Sequence, residues 1–282
     1  MVAADDAAQN GLPPRHSTIR IPHAAFAHQL HVASWPGPRE RPPLVMLHGI
    51  WDTWQIFEPL AARLSAIQAL YALDLRGHGE SGKPDEGYTI ADYAADVREV
   101  LAQLGHERVS LLGFSLGALV ATQLVADLPD QTAALILEDP PHSPGADPRG
   151  RAAWLGALLE LKQQPFDEVV EGLSDLYPTR DRATNELSAR ALINTADGPF
   201  RAMRDQGITI DLPAILARST QPTLILRADP QFGGALSEQG RDDLRAARPD
   251  VQLVEFPDTG HLIHAERPEP FIAAVETFLR AE

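Results

Sequence analysis

The chain of 282 residues contains no cysteine. That absence excludes disulfides, thiolate metal sites and a cysteine nucleophile together. It suits a reducing compartment, and a cytoplasmic location is the expectation that follows. Basic charge is also scarce, with 24 Lys and Arg against 39 Asp and Glu and a formal net charge of −15. Lys83 and Lys162 are the only lysines. A surface of this sign repels phosphate backbones and anionic headgroups, so neither nucleic acid nor a membrane is expected as a partner. There is no run of about 18 apolar residues from which to build a spanning helix. The first residues carry Asp5 and Asp6 and no apolar stretch, so they do not read as a signal peptide, and residues 1–15 are expected to form a loose tail.

What is present is enough for a sizeable core, since 44% of residues are hydrophobic. At roughly 150 residues per domain, the length fits one large domain or one domain with an insertion. Short apolar runs alternate with amphipathic stretches. Strands are expected at Ser17–Ile21 and Ala27–Ala33, joined by a turn at Pro22–Ala24, then at Leu44–Leu47, Ala69–Leu73, Val109–Leu112 and Ala133–Leu137. Two more follow at Thr223–Leu226 and Val251–Phe256. Helices are expected at Gln55–Leu64, Ile90–Leu104, Leu116–Leu128, Ser237–Arg248 and Glu269–Leu279. This alternation predicts an α/β fold, a mainly parallel sheet covered by helices on both faces.

Between 141 and 216 the alternation stops. Phe166, Val169, Val170, Leu173, Leu176 and Tyr177 fall at helical spacing, and Trp154 to Leu161 suggest a neighbouring helix. The expected organisation is a core of residues 16–140 and 217–282, with 141–216 inserted before the last two strands as a small helical lid. Such a lid would lie over the carboxyl edge of the sheet, where open α/β sheets bind ligands.

Gly113-Phe114-Ser115-Leu116-Gly117 stands between an expected strand and an expected helix, the setting that gives G-x-S-x-G its meaning as a nucleophile turn. The plainer alternative is a strand-to-helix turn with a capping serine. His261, after Gly260 and the last strand, is placed to take the serine proton, with nine other histidines as competitors. A carboxylate must orient the imidazole. Asp229 is preferred because Ser115, Asp229 and His261 follow the chain order nucleophile, acid, base. Its plainer reading is a turn aspartate before Pro230, and Asp139, beside Glu138 at the end of the preceding strand, is the alternative acid. After the first buried strand, Gly49 frees the Ile50 amide, which with the Leu116 amide would form an oxyanion hole. His48 is read as structural. Trp51, Phe114, Trp154 and Leu158 are candidates for an apolar pocket and equally for plain core.

Two false leads are set aside. Gly77 to Gly82 satisfies G-x-G-x-x-G and runs into Lys83, but Pro84 stands where a phosphate loop needs Ser or Thr. His28 with His31, and His261 with His264, are close pairs without an evident third ligand, so no metal is expected, and no cofactor either.

Taken together, His48-Gly49, Asp74-Leu75-Arg76-Gly77-His78-Gly79-Glu80-Ser81, Gly113 to Gly117, and Gly260-His261-Leu262-Ile263-His264 with Glu266 and Pro268 resemble the α/β-hydrolase fold family, in its lid-bearing, esterase-like form. The resemblance implies Ser115 as nucleophile, His261 as base, and the Ile50 and Leu116 amides as the oxyanion hole. One departure is that Ala228 replaces the usual strand-end glycine and Asp229 follows at once. The expected activity is cofactor-free hydrolysis of a small, mainly apolar ester or related acyl compound by a monomer or homodimer. Carbon–carbon bond hydrolysis, lactonase or perhydrolase chemistry, and ligand sensing with a slow residual turnover, are the alternatives the same side chains allow.

Overall fold

The computed structural model describes residues 13–22, 28–144, 147–207 and 210–282. Most of the expected tail, and residues 23 and 24 of the expected turn, lie outside them. Eight strands form one sheet in the order β1-β2-β4-β3-β5-β6-β7-β8. They are β1 (Arg15–Ile21), β2 (His28–Trp35), β3 (Leu44–Leu47), β4 (Leu70–Leu73), β5 (Val109–Phe114), β6 (Thr132–Glu138), β7 (Thr223–Ala228) and β8 (Gln252–Phe256). β2 runs antiparallel to both β1 and β4, and every other neighbouring pair is parallel.

The short strand β3 shows why a continuous apolar run is needed at the centre. All four of its residues are buried, but they serve opposite faces. Val45 and Leu47 pack with α2 (Ile90–Leu104) and α3 (Leu116–Asp127), whereas Leu44 and Met46 pack with α1 (Glu58–Leu64) and α11 (Pro268–Ala281). A strand covered on both sides has no polar face to alternate with. α2 begins with a capping box between Thr89 and Asp92 and stops at Gly105, whose φ of 72° admits the left-handed turn. β4 and β5 flank β3 on opposite sides, so the loops leaving β3 and β5 diverge. A crevice opens at such a switch point, at the carboxyl ends of the strands.

Between β6 and β7 the chain forms α4 (Pro148–Leu161), α5 (Phe166–Leu176), α6 (Arg182–Asn194), α7 (Asp197–Gln206) and α8 (Leu212–Arg218). The apolar stripes of α4 and α5 are those seen in the sequence. α6 and α7 carry too few large apolar residues for periodicity to show them. Lys162, buried after α4, holds them in place: its Nζ donates to the Thr195 carbonyl and, at 2.9 Å, to Asp197 Oδ1. The insertion meets the core where Ala196 N donates to Gly77 O at 2.8 Å and Asn194 Nδ2 to Gly79 O at 3.1 Å. The last β-strand is followed by α10 (Ile263–Glu266) and α11, and α9 (Glu238–Ala247) lies between β7 and β8. Among the described residues no helix is long and apolar enough to cross a membrane.

Candidate active site

β5 ends in a turn so tight that side chains are excluded on both sides of the serine. A Cβ at Gly113 would lie 2.2 Å from Gly117 O, and one at Gly117 would lie 2.0 Å from Leu47 O. Between them Ser115 adopts φ 52° and ψ −112°, a region that costs a non-glycine residue roughly 1–3 kcal/mol. Its amide donates to Glu138 O at 3.0 Å, which fixes the turn beside the end of β6.

The next residue, Asp139, has φ 42° and is fully buried. Its carboxylate accepts from Ala235 N at 2.7 Å, Ala228 N at 3.2 Å and Leu236 N at 3.4 Å. His261 Nδ1–H donates to Asp139 Oδ2 at 2.5 Å. The imidazole rests on Phe114, with ring centroids 4.8 Å apart, and so stands next to the residue that precedes Ser115. Its side chain remains 18% exposed while Asp139 is closed off.

Asp229, preferred from chain order, does not hold this place. Its carboxylate accepts from Gln231 N at 2.9 Å and from Asp258 N at 3.2 Å. The first bond caps the short 3-10 turn Pro230–Phe232, the role of an aspartate before proline. β6 lies directly beside β5, whereas β7 is one strand further away, so an acid at the end of β6 is nearer the serine. Asp229 instead ties down Asp258 and, through its own amide, Thr259 O at 2.9 Å, which lie on the loop carrying His261.

The loop after β3 closes the other side. Gly117 N donates to His48 O at 3.0 Å, joining that loop to the start of α3. His48 is buried and neutral, its titration pushed down by burial. Nδ1–H donates to Gly49 O at 2.7 Å while Nε2 accepts from Leu75 N at 3.0 Å. Trp51 follows with φ 56°. Among the described residues the Ile50 and Leu116 amides donate to no backbone carbonyl. A cavity of about 20 Å³, enough for roughly one water, is lined by Ile50, Leu116, Tyr88, Tyr93 and Met203.

The candidate pocket residues are buried to different ends. Trp51 lies 5.4 Å from the Trp154 ring and stacks on Phe200 at 6.4 Å. Leu158 is wholly enclosed in the core, and Phe114 is covered by His261 and His264.

The segment resembling a phosphate loop is built around Asp74 instead. Its carboxylate accepts from Trp54 N at 2.8 Å, Glu80 N at 3.0 Å and His31 Nδ1 at 3.1 Å. Burial pushes its titration up, but these hydrogen bonds outweigh burial and hold it below the usual carboxylate range. Burial, with His48 nearby, pushes His78 down to about 3.

Three further groups lie near the site. Glu138 binds His264, whose Nδ1 is 2.8 Å from both carboxylate oxygens. Asp52 is buried on the loop after β3, and burial raises its carboxyl to about 6, against opposing charges on Arg180, His264 and His261. Arg180 comes from the insertion. The side-by-side Glu138-Asp139 and the three-residue spacing of His261 and His264 were available as a signal for the first; nothing in the sequence marks Asp52 or Arg180.

The sequence profile of the alpha/beta hydrolase family matches residues 44–274. The chain belongs to this family. Among its relatives in the alpha/beta hydrolase family, 2-(acetamidomethylene)succinate hydrolase of Mesorhizobium japonicum is 30% identical over 254 residues, covering 85% of this chain and 88% of that protein. Pimeloyl-(acyl-carrier protein) methyl ester esterase of Aliivibrio salmonicida is 27% identical and covers 88% and 96%. N-formylmaleamate deformylase of Pseudomonas putida is 27% identical and covers 84% and 88%. The crystal structure of E-2-(acetamidomethylene)succinate hydrolase superposes on this alpha/beta hydrolase with a TM-score of 0.76 at 25% identity, over 94% of this chain and 100% of that one.

Proposed function

We propose that the protein is a serine hydrolase that cleaves a small, mainly apolar acyl compound through an acyl-enzyme on Ser115. The observation that carries this reading is the His261–Asp139 pair packed on Phe114, the residue just before a serine held at φ 52°. His261 Nε2 takes the proton of Ser115 Oγ as that oxygen attacks the substrate carbonyl. Charge developing on the carbonyl oxygen is received by the Ile50 and Leu116 amides, a contribution of several kcal/mol in comparable sites. His261 then gives its proton to the departing alcohol or amine. In the second half a water gives a proton to His261 and attacks the acyl carbon, and Ser115 leaves with that proton restored. Asp139, buried and fixed by three backbone amides, keeps Nδ1 protonated and Nε2 free to act.

The named relatives support small acyl compounds as the substrate class, one being a methyl ester esterase and two acting on a succinate derivative and on N-formylmaleamate. The test is intact mass after incubation with an aryl fluorophosphonate. One adduct on wild type, absent from Ser115→Ala, is the expected result. A wild type that stays unlabelled by reagents of several sizes would overturn the reading.

A further inference from the structure

The edge of the sheet opposite Ser115 carries a cleft of about 550 Å³ that the proposed reaction does not use. It lies at the amino ends of β3 and β4, since Pro43 and Ala69, the residues just before those strands, both line it. Ser115 follows the carboxyl end of β5, which runs parallel to β3. The two places are therefore a strand's length apart, roughly 20 Å.

The charge of this cleft is opposite to that of the molecule. Arg15 at the start of β1, Arg39 and Arg41 from the loop after β2, and His106 after α2 line it, and among the described residues no carboxylate does. The chain as a whole carries a formal charge of −15. The loop that gathers the cations is stiff, because Pro36, Pro38, Pro42 and Pro43 fix φ on both sides of Arg39-Glu40-Arg41. It is also seated directly on the backbone beneath it, where a Cβ on Gly37 would lie 2.4 Å from the Gln68 carbonyl. Both arginines of the loop line the cleft, and Glu40 between them does not.

Arg41 is held in place by the end of α11. Its Nη1 donates to Leu279 O at 2.5 Å and its Nη2 to Arg280 O at 3.4 Å, carbonyls of the last turn, where partial negative charge gathers. Arg15 and Arg39 are exposed and form no ion pair among the described residues. The floor is aromatic and neutral. Trp35 and Tyr71 form it, with the Tyr71 hydroxyl 3.0 Å from His106 Nε2. Burial pushes Tyr71 up and His106 down, so the floor brings no negative charge to the cleft. Like charges gathered on a stiff rim repel one another, and a bound anion removes that repulsion.

We propose that this cleft is a second binding site, separate from the catalytic one, for a small organic polyanion, a phosphorylated or polycarboxylate molecule whose anionic groups are received by Arg15, Arg39 and Arg41. Guanidinium forks match phosphate and carboxylate oxygens alike, so the two share one chemistry here. The volume lies within the range of small-molecule sites and leaves room for an organic body over Trp35 and Tyr71. A nucleic acid does not suit it, because the acidic surface around so local a patch repels a long phosphate backbone.

Calorimetric titration of the whole protein with pyrophosphate and, separately, with citrate tests the site at a constant ionic strength of about 0.15 M. Saturable binding of at least one of them is expected, and the tighter of the two names phosphate or carboxylate as the source. Arg15→Gln and Arg39→Gln should each weaken it by roughly 10-fold, as for the loss of a charge-assisted hydrogen bond, and the double variant by more. Arg149→Gln, at an exposed position of α4 in the insertion, makes the same change in net charge and should alter binding less than about twofold. No binding of either anion up to about 10 mM would overturn the proposal. So would binding untouched in the double variant, or an equal loss in Arg149→Gln, which would trace it to net charge alone. Labelling of Ser115 plays no part in these readings, so the hydrolase reading and this site can fail independently.

Discussion

Glu138 and Asp139 are consecutive residues, and each holds a histidine from the same short stretch of chain. The two pairs are chemically alike and yet have different work. The His264–Glu138 pair is sealed among Phe57, Phe114 and Phe271, with His264 Nε2 enclosed and without a partner. In the other pair Asp139 leaves the strand at φ 42°, which turns its carboxylate away from Glu138's side, and His261 keeps contact with solvent. The difference is access. A proton acceptor is of use only where a substrate can reach it, so the buried pair braces the loop and the open one is the candidate base. All four non-glycine residues with positive φ among the described ones, Trp51, Ser115, Asp139 and Asp258, follow the carboxyl ends of β3, β5, β6 and β8 at this edge. Strain concentrated there fits a site whose groups are held by the fold rather than by their own preferences.

The largest effect is expected at the open pair. Asp139→Asn should lower kcat by roughly 10⁴-fold, because the amide favours the wrong imidazole tautomer. Asp229→Asn should change it by only a few-fold, and steady-state rates on one activated ester decide between them. If the two variants fell equally, the geometric assignment of the acid would be wrong.

At the closed pair the expected effect is on stability. Glu138→Gln leaves His264 without its carboxylate and should cost about 3 kcal/mol or more in urea denaturation, as for other broken buried pairs. The double change Glu138→Leu with His264→Phe should recover much of that loss. Fluorophosphonate labelling of the folded fraction should persist in both, which the open pair would not allow.

Asp52 gives a smaller effect with a definite sign. Its carboxyl is raised from 3.8 to about 6, so the folded protein binds this proton more tightly than the unfolded chain does. The burial cost is therefore fully present above pH 6 and fades as pH falls toward 4. At about 1.4 kcal/mol per unit it amounts to at most about 3 kcal/mol. Asp52→Asn should stabilise the protein at pH 7.5 and do little at pH 4, read from chemical denaturation at both values. An equal effect at the two would show that Asp52 is not buried as a charge.

The smallest expected change is in Asp229→Ala, which removes a turn cap and one brace on the His261 loop. A loss of about 1 kcal/mol is expected, measured by thermal unfolding.

Much of this was legible in the chain. Leu44–Leu47 was expected as a strand buried on both faces, and Gly113 to Gly117 as a tight turn between strand and helix, and both are found so. Both follow from local rules, the period of apolar residues and the lack of a Cβ. The N-terminal strands were found with edges displaced, and α6 and α7 were missed because their faces are too polar to show a stripe.

What the sequence by itself determined, then, is the mainly parallel sheet and the position of Ser115 in a strained turn between strand and helix, with His261 as the expected base. Which carboxylate meets that histidine was decided only by the tertiary structure. Asp139 and Asp229 both follow a strand and both obey the same chain order, but strand adjacency in the sheet is set by long-range pairing, and β6, not β7, lies against β5. The same holds for Trp51 and Trp154, whose rings meet 5.4 Å apart across more than a hundred residues of chain. Contacts of that range leave no period and no motif in the sequence.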